Sequence, residues 1–165
     1  MPLVRALGPR RTRQTIRSLL LLFCIACATT PLTHPFADNE SGVRAAMASF
    51  MDALNALDVA RMDAAFTDDV TAFVPTAQPD EAVGRAAVTQ IFRTFAERAR
   101  ATTPRLNLVP EDERIEASAT LAVVTFQIHE KSARMTRRRT FVFRRVGDSW
   151  LISHFHASDF SSPNK

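Results

Sequence analysis

Trp150-Leu151-Ile152-Ser153-His154-Phe155-His156-Ala157-Ser158 is the stretch whose reading decides the fold. As a strand it alternates, and one parity carries Trp150, Ile152, His154, His156 and Ser158. Alternate residues of a strand share a face. One aromatic, one aliphatic and two imidazoles therefore point the same way. A face that combines apolar bulk with a few polar groups is what a small-molecule pocket requires.

Just upstream, Gly147-Asp148 fits a two-residue hairpin turn between this strand and another at Arg134 to Val146. With that turn, Arg145 pairs with Trp150, Phe143 with Ile152, Phe141 with His154, and Arg139 with His156. A further strand from Ile115 to Lys131 brings Val124, Phe126 and Ile128 to the same face. The predicted pocket has Arg139, His154 and His156 as polar groups, with Trp150, Phe126, Phe141 and Phe143 around them. The opposite face carries Leu121, Val123, Val142, Leu151 and Phe155 with Thr125, Thr140 and Ser153, too apolar for open water. A one-residue slip would exchange the two faces.

Earlier in the chain the apolar period is helical. Val43, Met47, Phe50, Leu54 and Leu57 predict a helix from Ser41 to Leu57, with Ser41 or Asn39 as its cap. Asp58 fits the N-cap of a short second helix with Val59, Met62 and Phe66 on its buried side, ended by Asp68-Asp69. Val70 to Val74 is a short strand stopped by Pro75, and a polar loop follows. After Gly84, the stripe Val88, Ile91, Phe92, Phe95 and Ala99 makes a third helix, against which Trp150 and Ile152 should be buried. Leu106 to Val109 is predicted as a strand. Helices followed by an antiparallel meander make an α+β domain with helices on one face of a curved sheet.

The 165 residues are one domain's worth. The net charge of +4 comes from the start of the chain, where residues 1–28 hold five arginines and no acid. Without those five, 16 basic side chains stand against 17 acidic ones, which removes the bulk-charge case for nucleic acid. The arginines precede an uncharged apolar run, Leu19 to Ala28, about half the ~20 residues of a membrane span. This is an export signal, implying a periplasmic or secreted protein. Ala26-Cys27-Ala28 fits cleavage before Thr29. Ile25-Ala26-Cys27 fits a lipobox with a lipid anchor at Cys27, although Cys24 stands where leucine is usual. Either way both cysteines fall at or before the cleavage point. Residues 29–38, with Pro31 and Pro35, form a linker, and the domain occupies 39–162.

Helix, short helix, strand, helix and a meander ending in Trp150-x-Ile152-x-His154-x-His156-x-Ser158 resembles the nuclear transport factor two-like superfamily, and within it the SnoaL-like group. Arg139-Thr140 through Ser158 is also similar to the association domain of calcium/calmodulin-dependent protein kinase type II. The resemblance implies a cone-shaped α+β fold, its curved antiparallel sheet wrapped around N-terminal helices, usually dimeric, with a pocket between sheet and helices. In the association domain an arginine lines the pocket just after the threonine corresponding to Thr140. Here that position is Phe141, and Arg139 is the substitute on the same face. The superfamily's ketosteroid isomerases and scytalone dehydratases use tyrosine hydroxyls, and this chain has no tyrosine. SnoaL-type cyclases use a pocket carboxylate.

His154 and His156 could hold a metal ion, but no third ligand accompanies them by spacing. They are read as hydrogen-bonded pocket histidines, with no metal and no cofactor. Acid–base work by either needs a carboxylate partner, for which Asp52, Asp63, Asp68 and Asp69 are candidates. The cluster Arg134, Arg137, Arg138, Arg139, Arg144 and Arg145 is split between faces by alternation and has no aromatic platform, so it is not a nucleic-acid patch. Three functions follow: an exported domain binding a small, partly apolar, anionic ligand; a cyclase, isomerase or dehydratase using a pocket histidine; or an oligomerisation module. The ligand-binding domain, as a homodimer, is the preferred expectation.

Overall fold

Val43, Met47, Phe50 and Met51 are buried along one side of helix α1, Pro35–Asn55. The computed structural model describes residues 35–75, 81–130 and 135–161. The chain divides into two compact units, Met1–Pro31 and Leu32–Lys165, and every described residue belongs to the second. The export signal expected at 1–28 lies outside the described residues. So does most of the expected linker, although α1 begins at Pro35, inside it. Proline suits a first helical position because it lacks the N–H that would have no partner there.

Asp58 caps α2, Val59–Ala64, by accepting a hydrogen bond from Arg61 N–H at 3.1 Å. Strand β1, Phe66–Phe73, begins earlier than expected, so Asp68-Asp69 lies within it. Part of the predicted polar loop is a short strand, β2, Glu81–Val83. Helix α3, Arg85–Arg100, follows, and then strands β3, Glu111–Ala117, β4, Leu121–Glu130, β5, Met135–Val146, and β6, Ser149–Ser161. They form one curved sheet in the order β2-β1-β6-β5-β4-β3. The sheet is not purely antiparallel, because β1 runs parallel to β6.

Leu106 to Val109 is not a strand. Asn55 at the end of α1 holds it instead: the Asn55 amide donates to Leu108 O at 3.0 Å, and Leu108 N–H donates to Asn55 Oδ1 at 2.8 Å. Leu106 N–H also donates to Asn55 O. One side-chain amide thus satisfies the backbone groups that a neighbouring strand would have taken.

Gly147, with φ of 60°, takes the first central position of the β5–β6 turn, where a type II′ hairpin requires positive φ. The expected pairs Arg145 with Trp150 and Phe143 with Ile152 are present. The register then shifts, and Val142 faces His154, Phe141 faces Phe155, Thr140 faces His156, and Arg139 faces Ala157. Ser153 is the extra residue of a β-bulge, its hydroxyl donating to Val142 O at 3.2 Å. A bulge re-aims every side chain beyond it. Trp150 and Ile152 are buried, as are Phe155 and Ala157, while His154 is half-buried and His156 exposed.

The core is a web of edge-on and stacked rings, Phe50, Phe66, Phe92, Phe126, Phe141, Phe143 and Phe155. Trp150 packs against α1 rather than α3: a Cβ on Gly42 would stand 2.9 Å from its indole Nε1. A side chain at residue 42 would collide with the indole.

Candidate functional site

Between α3, the Leu106–Val109 segment and the inner face of the sheet lies a cavity of about 980 Å³. Its walls are apolar: Phe92, Ile91 and Phe95 from α3, Phe126 and Ile128 from β4, Phe141 from β5, and Phe155 and Ala157 from β6. The α3 stripe is only partly covered, with Phe95 41% exposed, because its uncovered side looks into this space.

One polar cluster stands on the sheet side. The bulge turns Asp159 inward, and the β5–β6 register sets it opposite Arg137. Asp159 accepts from Arg137 Nη1 at 3.2 Å through Oδ2, and from Arg139 Nη1 at 3.3 Å and Nη2 at 3.4 Å through Oδ1. Arg139 also donates from Nη1 to Ser158 O at 3.1 Å. Its side chain is 17% exposed. Burial holds the Arg139 guanidinium below the ordinary arginine value, Asp159 opposes the drop, and Arg137 adds to it. Two guanidiniums thus bond one carboxylate at the wall of an apolar cavity, where charge is weakly screened. Arg98 stands at the rim from α3. On the other rim Glu111 and His129 form a looser pair, Nε2 to Oε2 at 3.9 Å, with His129 Nδ1 at 3.0 Å from Thr136 Oγ1.

Of the residues singled out in the sequence, Arg139, Phe126 and Phe141 are brought together here. Phe143 and Trp150 are buried in the core and do not line the cavity. His154 and His156 lie on the opposite face of the sheet, since the bulge falls between them and Ile152. None of the four carboxylates named as partners for them makes that contact. Asp52 pairs with Arg61 and Arg105, Asp63 accepts from Thr89, Asp68 pairs with Arg85, and Asp69 with Arg144. The sequence reading missed Asp159 and Phe155. The buried residues of β6 are Trp150, Ile152, Phe155 and Ala157, with one step of three, which is how a bulge interrupts alternation; Leu151 and Phe160, apolar but outside this set, hide the step in the sequence.

A family profile, the SnoaL-like domain, matches residues 43–162. The chain belongs to the SnoaL-like domain family. A nuclear transport factor two-like protein of unknown function from Pseudomonas putida superposes with a TM-score of 0.65 at 22% identity, covering 78% of this chain and 89% of its own. A candidate dehydratase of the nuclear transport factor two-like family from Streptomyces avermitilis gives 0.63 at 18% identity, covering 77% and 99%. A candidate calcium/calmodulin-dependent protein kinase type II association domain from Thiobacillus denitrificans gives 0.58 at 26%, covering 72% and 94%. No curated protein sequence matches this SnoaL-like chain significantly. Among the described residues no helix is long and apolar enough to cross a membrane.

Proposed function

We propose that this SnoaL-like domain binds a small amphipathic anion, a molecule with an apolar body and one carboxylate or comparable group. The observation that carries the reading is the Arg137–Asp159–Arg139 cluster at an otherwise apolar cavity wall. A desolvated guanidinium with half a carboxylate to itself gains from a second anion, and bidentate arginine–carboxylate bonds are among the stronger hydrogen bonds. Phe126, Phe141 and Phe155 would take the apolar body. Calorimetry with decanoate and 1-decanol tests this. Decanoate should bind about tenfold or more tighter than the alcohol, the worth of one charge-assisted hydrogen bond, and Arg139→Met should abolish the difference. Equal affinity of the unaltered protein for both would overturn it.

A catalytic reading is favoured by the His129–Glu111 pair at the same cavity. An imidazole beside a carboxylate can move a proton on an anion held by Arg139. In deuterium oxide, exchange at the carbon between the two carbonyls of a 3-oxo carboxylate should slow at least about tenfold in His129→Gln, the low end for general acid–base catalysis. Equal rates would remove this role.

We infer export from the arginine-rich start and short apolar run, so the mature chain would begin at Thr29 or at a lipidated Cys27. Intact mass of the exported protein decides between the two, and a product starting at Met1 would overturn export. Pairing of two copies through the outer sheet face is supported by Leu121 and Val146, 50% and 49% exposed, with Val123, Val142 and Leu151 beside them. Exposed apolar patches of this kind mark interfaces. Phe155 is not part of that patch, since it faces the cavity. Leu121→Lys with Val123→Lys should convert a dimer to a monomer in sedimentation, and a monomeric unaltered protein at micromolar concentration would end the proposal.

A further inference from the structure

We propose that His154 and His156, on the outer face of the sheet, form a chelate site for a borderline divalent transition ion such as Zn²⁺ or Ni²⁺. The two are residues i and i+2 of β6 beyond the bulge, so they share a face. Their Cα atoms are then about 6.8 Å apart. That spacing lets two imidazole nitrogens converge on one ion at about 2 Å.

Three further features fit. Thr71 Oγ1 lies 2.8 Å from His154 Nδ1, brought there by the parallel pairing of β1 with β6. With Thr71 accepting the Nδ1 proton, the ring is the tautomer whose Nε2 lone pair is free for an ion, the role hydrogen-bond partners of metal-binding histidines commonly play. His156 is exposed and makes no hydrogen bond among the described residues, so both its ring nitrogens are available. Phe73, opposite His156 in the register, stands edge-on to both imidazoles at 5.3 and 6.5 Å between ring centres, walling one side. Among the described residues no group of three His, Cys, Asp or Glu side chains could hold an ion. Within one copy the chelate therefore supplies two protein ligands and leaves the remaining coordination positions open.

The test is calorimetric titration of NiCl₂ into the full chain, stripped of metal with a chelator, carrying Cys24→Ser and Cys27→Ser so that the N-terminal thiols do not compete. One equivalent should bind. His156→Gln should weaken binding by more than the roughly tenfold that loss of an outer-shell partner costs, and His129→Gln should not. His156 is exposed, so its variant tests the site even if His154→Gln fails to fold. Binding that is undiminished in His156→Gln, or absent at millimolar metal in the unaltered site, would overturn the proposal.

Discussion

Phe155 and His156 are neighbours in sequence, and they serve opposite faces of the sheet. Phe155 is buried among Phe66, Phe92 and Phe141 at the cavity wall, whereas His156 stands in solvent beside Thr140 and Phe73. Upstream of Ser153 the parity is reversed, with Trp150 and Ile152 inside and Leu151 outside. The bulge that leaves Ser153 unpaired therefore decides that the inner face receives an aspartate to share between two arginines, and that the outer face receives both imidazoles. The cavity's chemistry depends on a backbone irregularity as much as on side-chain identity.

The strongest way to break this arrangement is Phe155→Asp. A carboxylate without a partner among Phe66, Phe92 and Phe141 should cost more than about 4–5 kcal/mol, the level reached only by exceptional mutations. Deleting Ser153 should be far gentler, because it removes the bulge and leaves Phe143 opposite Ile152 and Val142 opposite His154. A urea midpoint for Phe155→Asp equal to that of the unaltered chain would put residue 155 on the outer face.

Next in size is Trp150→Ala, expected to cost about 3–5 kcal/mol as a large core truncation, and Phe155→Ala should fall in the same range. Equilibrium urea unfolding measures both. If Phe155→Ala proved neutral, the cavity side of the bulge would be wrongly placed.

Gly42→Ala should be milder. Its added methyl would meet the Trp150 indole at 2.9 Å, and overpacking of this kind costs about 1–3 kcal/mol. The paired variant Gly42→Ala/Trp150→Phe should recover part of the loss, because a smaller ring makes room. No recovery would show that Gly42 is needed for backbone reasons instead.

Much of this molecule was readable beforehand. The helical stripes of α1 and α3, the Asp58 cap, the Gly147-Asp148 turn and the first pairs of the β5–β6 hairpin follow from local patterns, and they suffice for the fold class. What was hidden depends on distant partners. β2 forms because three residues pair with β1, and Leu106 to Val109 stays out of the sheet because Asn55, more than fifty residues away, takes its backbone groups. The histidines drew attention because polar residues in an apolar strand suggest a pocket, and that preference for function over burial concealed the three-residue step to Phe155. Arg139 faces the cavity, as expected, because it lies on β5, whose pairing with β4 is uninterrupted.

The smallest effect expected is that of His156→Ala, and it sharpens the comparison most. The side chain is exposed, forms no hydrogen bond among the described residues, and touches Phe73 only edge to edge. In chelator-treated buffer its removal should change stability by no more than about 0.5 kcal/mol, as for surface positions outside any cap, core or network. Added Ni²⁺ should then separate the two proteins. An ion bound only by the folded state stabilises it by RT ln(1 + [L]/Kd), so the unaltered chain should melt at a higher temperature with metal while His156→Ala should not move. A loss comparable to that of Phe155→Ala in metal-free buffer would put His156 inside the fold, and the inner and outer assignments of β6 would have to be exchanged.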